Sequence, residues 1–169
     1  AEIHMQHVGT CLFGQGGDAA PGVIDQLIRT TEHARAETFS DATDGIEREY
    51  LPRCAKGAIS AFALTEGDVG SDPARMTTLA TPLEDGSGWS LTGEKLWCTN
   101  GTSAELLVVM ARTPGKGGKP GPISAFIIEK GYPGFKVAQK LDKMGFRGST
   151  TAELVFDDCR VPAENLVGE

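Results

Sequence analysis

At 169 residues and 40% hydrophobic, the chain is long enough for one domain with its own core, or for one domain and part of another. Its net charge of −7 argues against general nucleic-acid binding, which calls for a basic face, but a locally positive pocket could still take a small anion. No apolar run comes near the roughly 20 residues that span a bilayer, and no leader-like pattern opens the chain. A protein of the cytoplasm is therefore expected, with no membrane partner.

The first segment reads as helical. Val23, Ile24, Leu27, Ile28 and Ala34 recur at helical spacing after Pro21 and Gly22. A second, short helix is expected from Asp44 to Leu51, with Asp44 as N-cap and Glu47 three residues on, as in a capping box. Pro52 should end or re-aim it, and Gly57 fits a helix stop after Lys56.

From Ser60 the period changes. Strands are expected at 60–65, 77–83, 89–92, 96–99, 106–111, 123–129, 135–138 and 152–156. Turn clusters separate them at 84–88, 113–122 and 131–134, and the 113–122 segment is expected to be the most mobile. Gly118-Lys119 does not make a phosphate loop, because Pro120 follows where Ser or Thr is required. Residues 161–169 read as a linker leaving the β-region. Short strands with glycine turns indicate a mainly β fold, an antiparallel barrel or sandwich behind a short helical segment.

Cys11, Cys54, Cys98 and Cys159 are irregularly spaced without a CxxC pair. Zinc is disfavoured, no other metal cluster is visible, and the thiols are expected to be reduced. Asn100-Gly101-Thr102 matches a glycosylation sequon, read as chance in a chain without a leader. His4, His7 and His33 lie away from the motifs described next.

Two segments carry the chemistry. Residues 61–73 (AFALTEGDVGSDP) run from a strand into a glycine-containing loop, and residues 91–101 (LTGEKLWCTNG) place Trp97 two positions before Thr99. In an extended strand those two side chains face the same way. A flat amphipathic ring asks for an aromatic cover, hydroxyls and amides at its polar edge, and a glycine turn for a pyrophosphate. Singly, each piece has a duller explanation. Threonine suits strands, Trp97 suits a core, and Gly70-Ser71-Asp72-Pro73 is ordinary turn chemistry. No G-x-G-x-x-G opens a helix after a strand, which disfavours a nicotinamide Rossmann enzyme.

Taken together, these blocks resemble the central β-domain of the acyl-CoA dehydrogenase family of flavoenzymes. The resemblance covers about 50–168. It also rests on Tyr50-Leu51-Pro52-Arg53, Pro133-Gly134-Phe135, Lys143 to Ser149, Phe156-Asp157-Asp158 and Val161 to Leu166. It implies residues 1–58 as the helical end of an N-terminal domain and 59–169 as the central β-barrel domain. The C-terminal helical domain of the family is absent from this sequence. It implies FAD as cofactor, an acyl-CoA substrate, an electron-transfer flavoprotein or other acceptor, a homo-oligomer at full length, and the mitochondrial matrix as location if the protein is eukaryotic. Cofactor contacts would fall on Phe62, Leu64, Thr65, Gly70, Ser71, Trp97, Cys98 and Thr99. Thr65 would meet the pyrimidine part of the ring, Trp97 and Thr99 its face and reactive edge, and Ser71 the pyrophosphate and the acyl-CoA path.

Glu66 tempts as a base for α-proton removal, but the family draws that base from its C-terminal domain, so no catalytic residue is expected in this segment. Asp68 and Asp72 read as turn carboxylates, and Arg147 as a structural ion-pair residue or a phosphate contact. The resemblance implies α,β-dehydrogenation of an acyl-CoA, with this segment alone inactive and a poor holder of FAD. Same-scaffold oxidases and monooxygenases, or a non-catalytic binding module, are the alternatives.

Overall fold

The computed structural model describes residues 41–115, 117 and 119–167, with the side chains of 41–44 left aside. The expected helix at 23–34 lies outside the described residues. Helix α1 covers Asp41–Ala55. It is already helical through Asp44, so that residue is no N-cap, and it runs on past Pro52, which lacks the N–H for one helical bond. The end is where Gly57 puts it. Gly57 sits at φ +103, its N–H donates to Cys54 O, and the Ala58 N–H donates to Arg53 O, the paired bonds of a Schellman stop.

The rest is mainly β, as expected. The strands are β1 (Ser60–Ala63), β2 (Leu79–Pro82), β3 (Gly88–Thr99), β4 (Leu106–Pro114), β5 (Pro120–Glu129), β6 (Phe135–Lys140), β7 (Thr151–Pro162) and β8 (Leu166–Val167). Pairing runs β6-β7-β3-β2-β4-β5-β8, with β1 on β4. Most pairs are antiparallel, whereas β1 and β2 run parallel to β4. The sheet does not close into a complete barrel by strand pairing. It curls instead, since Trp89 on β3 meets Phe126 on β5 edge-on at 5.5 Å although β2 and β4 lie between. The curl wraps one core, whose largest buried members include Leu91, Leu107, Phe126, Ile128, Leu154 and Phe156.

Three expectations are corrected. The strands read at 89–92 and 96–99 are one strand, because Gly93 at φ +150 bends β3 without ending it. The turn expected at 113–122 shrinks, since β4 and β5 stay paired as far as Pro114 opposite Pro120. The supposed linker is stitched into the sheet: β7 runs to Pro162 and β8 pairs with β5.

A small second cluster joins α1 to the sheet through Ile46, Tyr50, Leu106 and Ile127. Tyr50 Oη donates to Asn165 Oδ1 at 3.2 Å, and Asn165 Nδ2 donates to Ile127 O at 2.8 Å and to Tyr132 Oη at 3.0 Å. Burial raises the Tyr50 phenol well above its ordinary pKa, so it stays a neutral donor. Arg53 adds a two-pronged ion pair to Glu129, at 2.9 and 2.7 Å. The Tyr50-Leu51-Pro52-Arg53 block therefore fastens helix to sheet.

Candidate functional site: a side-chain seam and an exposed tryptophan

Strands β1 and β2 share one slot between β3 and β4, end to end. β1 pairs with β4 from Ser60 opposite Leu106 to Ala63 opposite Val109. β2 pairs with β3 from Leu79 opposite Thr92 to Pro82 opposite Trp89, and meets β4 at Arg112. Residues 64–78 leave the sheet at this break and return to it.

The other edge of β1 meets β3 largely through side chains. Asn100 Nδ2 donates to Ser60 O at 3.3 Å, Cys98 Sγ to Phe62 O at 3.6 Å, and Lys95 Nζ to Leu64 O at 3.2 Å. One backbone bond completes the seam, from Leu96 N–H to Thr65 O at 2.8 Å. The segments 61–73 and 91–101, thirty residues apart in sequence, are thus neighbours in space.

β3 carries a bulge here. The register passes from Lys95 opposite Leu154 to Cys98 opposite Ala152, three steps against two. Trp97 takes the extra position at φ +59 and is 60% exposed. A left-handed backbone costs a side-chain-bearing residue about 1–2 kcal/mol, so its neighbours must hold it there. A bulge re-aims a side chain, and this one turns a large apolar ring outward. Thr99 is exposed as well, while Cys98 between them is buried in the core. The extended geometry expected of Trp97 is therefore wrong, although both side chains do leave the core.

On β1, Ala61 and Ala63 are buried in the core and Phe62 is half-buried, as are Leu64 and Thr65 just beyond the strand. Gly70 and Ser71 are exposed in the loop. Of the eight cofactor candidates, Cys98 stands apart: burial pushes its thiol up to about 11, and its side chain faces the core. The other seven lie on the seam or on the loop leaving it, and none of them lines either of two clefts at the surface. One cleft is lined by Ile46, Glu49, Tyr50 and Glu164, the other by Lys140, Asp142, Lys143 and Arg147.

Glu66 fills the break between β1 and β2. Its carboxylate accepts from Thr77 N–H (2.8 Å), Thr77 Oγ1 (2.6 Å), Thr78 N–H (3.0 Å), Thr78 Oγ1 (2.6 Å) and Lys95 Nζ (2.7 Å). Both ion-pair partners are buried, with side chains 0% and 5% exposed for Lys95 and Glu66. Burial alone would push the Glu66 carboxyl up. The Lys95 ammonium and the threonine donors outweigh it and hold the group down at about 2. Burial pulls Lys95 down and Glu66 draws it back up. A carboxylate saturated by five donors and ionised so far below neutrality is poorly suited as a general base for carbon acids.

The sequence profile of a known family, acyl-CoA dehydrogenase, middle domain, matches residues 61–159, a span from β1 to β7 that contains both segments of the seam. The chain belongs to the acyl-CoA dehydrogenase family. Its relatives include the probable acyl-CoA dehydrogenase FadE10 of Mycobacterium tuberculosis, 54% identical over 122 residues, which are 72% of this chain and 19% of FadE10. Among solved structures, an acyl-CoA dehydrogenase complexed with FAD from Bacillus anthracis superposes with a TM-score of 0.68 at 40% identity, over 73% of this chain and 21% of that one. The prolyl acyl carrier protein oxidase AnaB superposes equally well, at 0.68 and 38% identity, over 75% and 33%. The chain thus spans a third or less of the length of these proteins.

Two residues that position this acyl-CoA dehydrogenase middle domain escaped the sequence reading. Arg112 donates to Met76 O (3.1 Å), Gly121 O (2.7 Å) and Ala74 O (2.5 Å), pinning the far end of the 64–78 loop to the β4–β5 hairpin. An arginine bonded to backbone carbonyls carries no sequence signature. Gly93 is the other. A Cβ there would stand 2.7 Å from Thr78 Cα, at a φ of +150 that L residues avoid. Gly93→Ala is expected to cost about 2 kcal/mol, read as a lower urea midpoint with an unchanged slope. A midpoint equal to the parent's would mean that the Thr78 backbone gives way.

Proposed function

We propose that residues 59–169 are the FAD-contacting middle domain, and 1–58 the end of the preceding helical domain, of an enzyme that dehydrogenates an acyl-CoA across its α,β bond. The observation that carries this reading is Trp97, a large ring turned to solvent in a strained bulge beside Thr65. An aromatic held outward at such a cost fits a platform for a flat ligand better than a chance exposure.

The residues present fit a flavin. Trp97 would cover a face of the ring, with Thr99 beside it and Thr65 supplying a hydroxyl at the polar edge. Phe62 and Leu64 give an apolar border, and the exposed Gly70–Ser71 turn would meet the pyrophosphate through amides and the Ser71 hydroxyl. The same hydroxyl lies along the proposed acyl-CoA path. When bound, FAD supplies the acceptor for hydride from the substrate β-carbon. The protein's part here is to orient the ring and shape its electrostatics. The α-proton base is proposed to lie outside this chain, since Glu66 is committed to five donors. Re-oxidation would then fall to an electron-transfer flavoprotein or a similar acceptor, and assembly to a homo-oligomer of the whole protein.

The test is FAD titration of this chain, followed by the change in flavin fluorescence on binding, with turnover assayed on acyl-CoAs and an artificial acceptor. Weak binding without turnover is expected, because part of the contact surface and the base are elsewhere. Trp97→Ala should weaken FAD binding about tenfold more, equivalent to about 1.4 kcal/mol. Turnover by this chain alone would return Glu66 to consideration as base. Unchanged affinity in Trp97→Ala would remove the platform. The likeness to an oxidase supports a second reading, and fast reaction of the reduced whole protein with dioxygen would select it.

A further inference from the structure

We propose that the buried Lys95–Glu66 pair is a positioning element for the flavin site, locking the break between β1 and β2 so that Thr65, Ser71 and Trp97 stand where a ring and its pyrophosphate meet them. The proposal rests on the reading of those three residues as flavin contacts.

The placement carries it. Lys95 holds the carbonyl of Leu64, the residue before Thr65, and the carboxylate of Glu66, the residue after it. Leu96, between Lys95 and Trp97, donates its N–H to Thr65 O. The strained Trp97 bulge and the Thr65 strand end are therefore fixed to each other through three consecutive residues on each side. The remaining bonds of the Glu66 carboxylate run to Thr77 and Thr78, which close the loop that carries Gly70 and Ser71. The same residue holds the loop's start, since the Glu66 and Val69 backbones exchange two hydrogen bonds next to Gly70, and Arg112 holds Ala74 and Met76 toward the loop's other end.

Filling a hole in a sheet does not require charges. Apolar side chains of similar volume serve as well or better, because a buried pair must offset the desolvation of two ions. What the pair adds over apolar filling is direction. Carboxylate and ammonium demand fixed donor geometry, and here that geometry sets three backbone segments against one another.

The test uses the whole protein that carries this chain. The double variant Glu66→Gln/Lys95→Met removes both charges, retains an amide oxygen for one threonine's pair of donors and nearly conserves volume. Thr65→Val and Trp97→Phe report on the contacts themselves. Three quantities are read: the thermal midpoint of the apoprotein, the FAD dissociation constant, and the visible absorption bands of bound flavin. The double variant should unfold close to the parent, bind FAD about tenfold or more weakly, and show bands displaced toward free FAD, as the two contact variants do. Glu66→Asp, which keeps the charge and draws it back by one methylene, should displace the bands in the same direction and serves if the double variant does not fold. Contact variants with displaced bands beside charge variants with parental affinity and bands would overturn the positioning role alone. Parental spectra and affinity in Thr65→Val and Trp97→Phe would overturn the site reading, and the positioning role with it.

Discussion

Lys95→Met is expected to destabilise the folded chain by about 3–5 kcal/mol, the largest effect of any single substitution considered for this fold. The methionine fills nearly the same volume, so the loss is electrostatic. Glu66 would keep its four threonine donors but lose the Lys95 counter-charge, inside a sheet where its side chain is 5% exposed. Leu64 O would lose its Lys95 donor in the same step. The Arg53–Glu129 pair gives the internal comparison. Its shortest N–O distance is the same, 2.7 Å, but its side chains are 36% and 28% exposed. Water screens that pair and replaces it when broken, so Arg53→Met should cost only about 1 kcal/mol. Urea unfolding of both variants, with the slope checked for constancy, measures the contrast. Equal losses for the two would mean that solvent reaches Glu66, and the buried break would have to be reconsidered.

The sequence announces this architecture unevenly, for reasons visible at particular residues. Local signals are legible. Strand alternation from Ser60 onward, the glycine turns and the Gly57 stop depend on neighbours within a few positions, and each has a structural counterpart. Both segments of the seam could be found by their motifs. Their adjacency could not, because it is made by Lys95, Cys98 and Asn100 reaching carbonyls 31 to 40 residues away. The outward turn of Trp97 depends on a register slip against β7, which no stretch of β3 encodes by itself. The binding of the C-terminal segment likewise escapes a linear reading. Asn165 looks like a loop residue, yet it is 2% exposed and bonded to Tyr50, 115 positions earlier.

Acid should unfold this chain through Glu66 over a definable window. The folded carboxyl is held at about 2 against an ordinary 4.5. A depressed carboxyl contributes its stability above the unfolded value, and that contribution is lost as pH falls through 4.5 toward 2. A difference of that size corresponds to about 3 kcal/mol, present at neutral pH and largely gone near pH 2. Glu129, lowered by its hydrogen bonds from Arg53, and Asp85, lowered by Ser87, slope in the same direction, so the parent curve alone does not isolate Glu66. The double variant Glu66→Gln/Lys95→Met does, because it keeps Glu129 and Asp85 and removes both members of the buried pair. Unfolding free energies measured by urea at several values between pH 5 and pH 2 should fall by about 3 kcal/mol more in the parent than in the double variant. Parallel curves would show that Glu66 takes up its proton in the folded chain as readily as in the unfolded one, which five donors within 3.0 Å should prevent.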